Sequence, residues 1–156
     1  MQKIIPSLWF DGQAEEAAEL YVSLFPNSRV NDVVRYGPDS PGPEGTVMTV
    51  SFELDGQQFL GINGGPQFPF TEAVSFQIAC ADQDEVDHYW DALVEGGEVS
   101  TCGWLKDRFG LSWQVIPTRL HELLGDPDPD RSYRATQAML QMKKIDIAAL
   151  EAAAAG

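Results

Sequence analysis

Basic residues are scarce in this chain of 156 residues: ten Lys and Arg stand against 24 Asp and Glu, for a formal net charge of −14. Binding to nucleic acid depends on clustered Lys and Arg that neutralise phosphates, so a nucleic-acid partner is excluded, and anionic membrane surfaces are disfavoured on the same ground. Only two cysteines occur, Cys80 and Cys102. They are too few for a disulfide framework or a zinc quartet, and both lie in apolar, strand-like stretches where buried free thiols are expected. Histidine is equally sparse. His88 falls at the edge of a predicted helical stripe, His121 is expected at the surface, and neither belongs to a recognisable Ser–His–Asp or Cys–His set. No apolar run approaches the roughly 20 residues that span a bilayer. The opening Met1-Gln-Lys-Ile-Ile-Pro6 leads into strand-like sequence without a long apolar leader, so a cytoplasmic location is expected.

What is present describes a globular α+β protein. Hydrophobic residues make up 44% and charged residues 22% of the chain, a balance suited to one domain over residues 1–156 with a real core. Lys3 to Phe10 reads as a short buried strand. Ala14, Ala17, Ala18, Tyr21, Leu24 and Phe25 then recur at helical spacing until Pro26-Asn27 ends the helix. A second strand is expected over 29–36, followed by a loop rich in Pro and Gly over 37–45. The strands 46–54 and 57–62 flank Asp55-Gly56, a pair suited to a tight hairpin with positive φ. Another strand, 73–81, leads to Asp82 and Glu85, which resemble a capping box. The stripe Val86, Tyr89, Trp90, Leu93 and Val94 follows, and Gly96-Gly97 supplies the stop. Strands over 98–105 and 111–116 are joined through Asp107 and Gly110. Two or three short helices are then expected, over about 118–124, 132–142 and 146–154, and the alanine-rich end is expected to fray.

The two strand–helix units repeat. Leu24 and Leu93 lie 69 residues apart, and the same shift brings Tyr21 onto Trp90, Ala17 onto Val86 and Glu16 onto Glu85. The chain therefore divides into a βαβββ module over 3–64, a shortened second copy over 73–117 and a helical appendage over 118–156.

Particular segments carry a resemblance. Ile5-Pro6-x-Leu8-x-Phe10 with Glu16-Ala17-Ala18-x-x-Tyr21-x-x-x-Phe25-Pro26 is similar to the opening of the PhnB-like branch of the vicinal oxygen chelate superfamily, which includes glyoxalases and bleomycin-resistance proteins. Phe52-Glu-Leu-Asp-Gly-Gln57, Asn63-Gly-Gly-Pro66, Glu85-Val-Asp-x-Tyr-Trp90, Cys102-Gly-Trp-Leu-x-Asp107, Phe109-Gly-Leu-Ser-Trp-Gln114 and Met142-Lys-Lys-Ile-Asp-Ile-Ala-Ala-Leu150 continue it. Members often carry the name 3-demethylubiquinone-9 3-methyltransferase. The resemblance implies paired βαβββ modules around a shared concavity, usually in a homodimer. It places the ligand positions of metal-using relatives at Pro6, Gly61, Ser75 and Gln114, of which Gln114 alone is a reasonable donor, so no metal is expected. Nor does Gly64-Gly65-Pro66 resemble the glycine-rich turn that would hold S-adenosylmethionine. No cofactor is expected.

Strand alternation then assigns a concave face. If Gln114 points inward, so do Ser112 and Ile116, and the same parity adds Leu8, Phe10, Phe59, Asn63, Ser75 and Gln77, while Trp104 either edges the chamber or packs beneath the last strand. An apolar chamber with a few amides and hydroxyls suits a small molecule, although the same groups would equally satisfy one another in a packed core. The leading expectation is a non-metal small-molecule-binding dimer. An enzyme in the same concavity using unusual metal ligands, a quinone methyltransferase and an accessory subunit with an acidic docking surface stand behind it.

Overall fold

The computed structural model describes residues 2–156. It forms two compact units, one ending at Phe70 and the other running from Thr71 to Gly156. Each contains a four-stranded mixed sheet with the same strand order.

In the first unit, β1 (Ser7–Phe10), α1 (Ala14–Leu24), β2 (Arg29–Arg35), β3 (Val47–Leu54) and β4 (Gln57–Asn63) give the sheet order β1-β4-β3-β2. Strand β1 runs parallel to β4 and the remaining pairs are antiparallel. The first strand is shorter than expected, beginning at Ser7, because Pro6 has no amide hydrogen to extend the ladder. At the β3–β4 hairpin Asp55 and Gly56 have φ of 48° and 80°, the left-handed pair that matches strand twist. Helix α1 lies on the sheet through Ala14, Ala17, Ala18 and Tyr21. Its alanines allow close approach to Leu8, Phe10, Val50, Phe52 and Phe59, which are all buried. Gly61 serves this packing directly. A Cβ there would come within 3.2 Å of the Ala14 Cβ, so a larger residue would push the helix away.

The second unit repeats the order with β5 (Ser75–Cys80), α2 (Gln83–Val94), β6 (Glu98–Val99), β7 (Trp104–Lys106) and β8 (Ser112–Pro117), paired as β5-β8-β7-β6. Asp82 caps α2 by accepting the Glu85 amide, while the Glu85 carboxylate reaches back to the Ala81 amide. The reciprocal box forms one residue wider than its usual pattern. The expected strand over 98–105 is broken. Cys102 and Gly103 both take positive φ, 59° and 83°, and their amides donate to the carbonyls of Met142 and Lys143. Cys102 is therefore a half-buried turn residue instead of a strand residue, and only Cys80 is a fully buried thiol. Burial pushes the Cys80 thiol up to about 12, with Glu85 and Asp82 adding to the shift.

Three helices complete this unit: α3 (Thr118–Leu124), α4 (Pro129–Leu140) and α5 (Ile147–Ala155). The alanine-rich end does not lack a partner. Leu150 and Ala154 are buried in a cluster with Ile116, Leu120, Leu123, Ala135 and Ile145. Arg134 donates to the carbonyls of Ala153 and Ala154, satisfying acceptors that the helix end leaves open. A strap over 142–147 holds these helices to the sheet. Lys144 pairs with Asp87 and Asp91, and the Gln83 side chain bridges the Ile145 carbonyl and the Ile147 amide.

Candidate functional site

Strand register decides which candidate residues share a face. In the second unit Ser75 pairs with Ser112 and Gln77 with Gln114, while Trp104 and Lys106 on β7 pair with Gln114 and Ser112. All therefore project from the same side of the sheet. The opposite side carries Ile78, Cys80, Leu105, Trp113 and Val115, buried with the apolar stripe of α2.

The polar residues form a chain. Gln77 Nε2 donates to Gln114 Oε1 at 3.3 Å, and Gln114 Nε2 donates to Ser75 Oγ at 2.8 Å. The Gln114 amide is thereby oriented from both ends. Gln77 is exposed, Ser75, Gln114 and Trp104 are half-buried, and Ser112 is buried. At the edge of this row the Lys106 ammonium pairs with Glu72, and that hydrogen bond raises the lysine pKa and lowers the glutamate's. Glu98 faces Lys106 across the β6–β7 pair.

The first-unit candidates do not join this row. Phe10 and Phe59, 3% and 7% exposed, lie on the α1 side of their sheet. Phe59 stacks on Phe52, and Phe10 is among the atoms nearest a Cβ built on Gly61, which faces Ala14. Leu8 pairs with Gly61 and shares that face. This corrects the parity assigned from the sequence. The strands are related by a shift of 70, which brings Leu8 onto Ile78 and Phe10 onto Cys80, whereas the helices keep the shift of 69. The connection from β5 to α2 is one residue shorter than that from β1 to α1, and a one-residue slip moves every side chain of a strand to the other face.

Asn63 has a different task. Its Oδ1 accepts the Ala14 amide at 2.9 Å and its Nδ2 donates to the Val47 carbonyl at 3.0 Å. It caps α1 from a neighbouring strand, where the N-cap residue Gln13 makes no side-chain cap of its own. His88 is exposed on α2 against the Tyr89 ring, outside the buried stripe, and His121 is exposed on α3.

Asp107 carries more than its place in a turn suggested. Its carboxylate, 2% exposed, accepts the amides of Phe109 and Leu111 and the Trp113 indole N–H, and so fixes the turn that feeds β8. The sequence signal was present in Asp107-x-Phe109-x-Leu111, an acid placed to accept amides within its own turn.

Among the described residues, cavities lie elsewhere. One of about 490 Å³ in the first unit is lined by Asp11, Glu15, Tyr36, Thr46 and Asn63. A second of about 320 Å³ lies by Ile5, Gln58 and Leu60. A third, about 450 Å³ in the second unit, meets Gln83, Arg119, Asp146 and Glu151, where Arg119 is already paired with Glu122 and Glu151.

The donor set does not fit a divalent metal. Of the four positions transferred from metal-using relatives, Pro6 and Gly61 have no donor side chain, and Gly61 faces α1. Ser75 and Gln114 are bonded to each other. One hydroxyl and one amide oxygen fall short of the three or four ligands required. Among the described residues no group of three or more His, Cys, Asp or Glu is placed to hold a metal ion. Nor do Gly64-Gly65 open a nucleotide loop. They lead into irregular chain, and the next helix begins at Gln83. Among the described residues no helix is long and apolar enough to cross a membrane.

Known proteins place this architecture. The PhnB protein from Bacillus cereus shares 36% identity, covering 75% of this chain and all of its own length, with a TM-score of 0.70. Protein PA1353 from Pseudomonas aeruginosa shares the fold at 23% identity, covering 75% of this chain and 98% of its own, with a TM-score of 0.62. No curated protein sequence matches the chain. A family profile described as 3-demethylubiquinone-9 3-methyltransferase matches residues 2–116, ending just before α3. The chain thus belongs to the 3-demethylubiquinone-9 3-methyltransferase family and is PhnB-like.

Proposed function

We propose that this protein binds a small molecule without a metal, on the face of the second sheet that carries Ser75, Gln77, Trp104, Ser112 and Gln114. One observation carries the reading: the Gln77–Gln114–Ser75 hydrogen-bond chain stands on a partly exposed sheet face beside a half-buried tryptophan. A few oriented polar groups next to apolar surface are what a small-molecule site needs. Binding is favoured over methyl transfer because the chain lacks a glycine-rich strand–helix turn at Gly64-Gly65, whatever chemistry the family description names. It is favoured over metal-dependent catalysis because the donor positions carry Pro, Gly, Ser and Gln.

The same reading makes the protein a cytoplasmic homodimer with no nucleic-acid partner, supported by the family resemblance and by the charge of −14. Light scattering on the purified chain tests the dimer. The binding reading is tested by following the Gln77 and Gln114 side-chain amide resonances through a fragment library of mixed charge. Saturable shifts that Gln114→Leu removes are expected, with melting temperature kept. Binding that leaves these resonances still and shifts those of Tyr36 and Thr46 would move the site to the 490 Å³ cavity and overturn the assignment.

A further inference from the structure

Folding leaves one polar group on this face unused. Ser112 is 1% exposed, and its Oγ is the sole fully buried side-chain N or O atom without a hydrogen-bond partner among the described residues. Such a hydroxyl makes the folded protein less stable than an alanine would, so its presence calls for an account. Its register partner on β5 is Ser75. The Ser75 oxygen already accepts the Gln114 amide, which leaves the Ser75 O–H free to donate. Adjacent strands lie about 4.8 Å apart, so two hydroxyls facing the same way across them can converge on one acceptor atom.

Charge narrows the acceptor. Lys106, the cross-strand neighbour of Ser112, is paired with Glu72 and faces Glu98. Two carboxylates around one ammonium leave no positive charge for an anionic ligand, in a chain that is already at −14. An ammonium group would lose its hydration beside the buried Ser112 without gaining a free carboxylate, because the nearest acids are committed to Lys106. A neutral oxygen meets neither obstacle. Trp104, register partner of Gln114, supplies a ring surface alongside.

We propose that Ser75 and Ser112 form a donor pair for an uncharged carbonyl oxygen on an aromatic ligand, with Gln114 as the positioning residue that turns the Ser75 proton outward. The proposal rests on the binding reading above and names the ligand class of that site. It also explains why an unpaired hydroxyl is kept at 112, since the ligand completes its hydrogen bonding.

The test is an amide NMR titration of the intact chain with three probes of similar size: acetophenone, benzoate and benzylammonium. Acetophenone is expected to shift the Ser75 and Ser112 amides and the Gln114 side-chain amide saturably, and the two ions are not. Ser112→Ala is expected to weaken acetophenone about fivefold, the value of one neutral hydrogen bond. The same variant is expected to raise the melting temperature of the free protein by about 2–4 °C, an effect that a residue serving only the fold would not show together with lost affinity. Binding of benzoate or benzylammonium at these residues as tightly as acetophenone would overturn the ligand class and leave the site standing. Unchanged acetophenone affinity in Ser112→Ala would overturn the donor pair. Silence of this face to all three probes would overturn both the pair and the site.

Discussion

At the middle of β4 in the first unit, the residue facing α1 is Gly61; the equivalent place on β8 in the second unit holds Val115. The exchange runs through both cores. Where the first unit sets Phe10 beside Gly61 under an alanine-lined helix, the second sets Cys80 near Val115 under Val86 and Trp90. Bulk has moved from the sheet to the helix while the strand order stayed the same. The other faces differ in chemistry. Gln77 and Gln114 of the second sheet correspond to Ser7 and Leu60 of the first, and Ser75 and Ser112 correspond to Ile5 and Gln58. One fold thus carries an amide and hydroxyl row in one copy and, in the other, a face where Ile5 and Leu60 alternate with Ser7 and Gln58. Shape in a duplicated module is fixed by the helix side, which leaves the opposite side free to diverge toward binding.

The comparison can be broken most severely at Asp107, which has no counterpart in the tight Asp55-Gly56 hairpin that joins the last two strands of the first unit. Asp107→Ala leaves two amides and the Trp113 indole N–H without their acceptor, and a loss of about 3 kcal/mol is expected in urea unfolding. Giving the first core the second's residue, Gly61→Val, is expected to cost about 1–3 kcal/mol by forcing α1 outward from its 3.2 Å approach. The same unfolding assay reads it, and a neutral result would show that the alanine face has room to spare. Asn63→Ala removes the cap of α1 and is expected to cost about 1 kcal/mol, seen also as faster hydrogen exchange at Ala14. The smallest effect is acidic loosening of the strap, which the first unit lacks. Hydrogen bonds from Gln83 and Lys144 hold the Asp87 carboxyl below its ordinary range. A depressed carboxylate stabilises the fold above its unfolded pKa and loses that contribution as pH falls through the folded value. Protection of the Cys102 and Gly103 amides relative to their intrinsic exchange should therefore fall below about pH 4 and stay constant between pH 6 and 8.

Much of the fold was legible because its signals are local. The stripes of α1 and α2, the Asp55-Gly56 turn and the Asp82 cap depend on neighbours within a few residues, and each forms as read. The candidate site was legible only in its second half. Ser75, Gln77, Ser112 and Gln114 share a face as alternation along their two strands implies, and Trp104 joins them through its register with Gln114. Phe10 and Phe59 lie on the other face because the strands of the two copies are offset by 70 residues and the helices by 69, across a connection one residue shorter in the second copy. Nothing local marks such a slip, and it reverses every assignment on a strand. The docking of the alanine-rich end was hidden for a related reason. Its partners, Ile116 and Arg134, are distant in sequence.

The most direct test of the central claim gives the second face the first face's residue. Acetophenone affinity is measured by NMR titration for the wild type and for Gln114→Leu, with the melting temperature of each recorded. The account predicts at least about a fivefold loss of affinity, because the leucine can neither hold Ser75 nor accept from Gln77, at a melting temperature within a few degrees of wild type. Unchanged affinity in a folded Gln114→Leu protein would contradict it, and would show that the polar row of the second sheet is not where this protein meets its ligand.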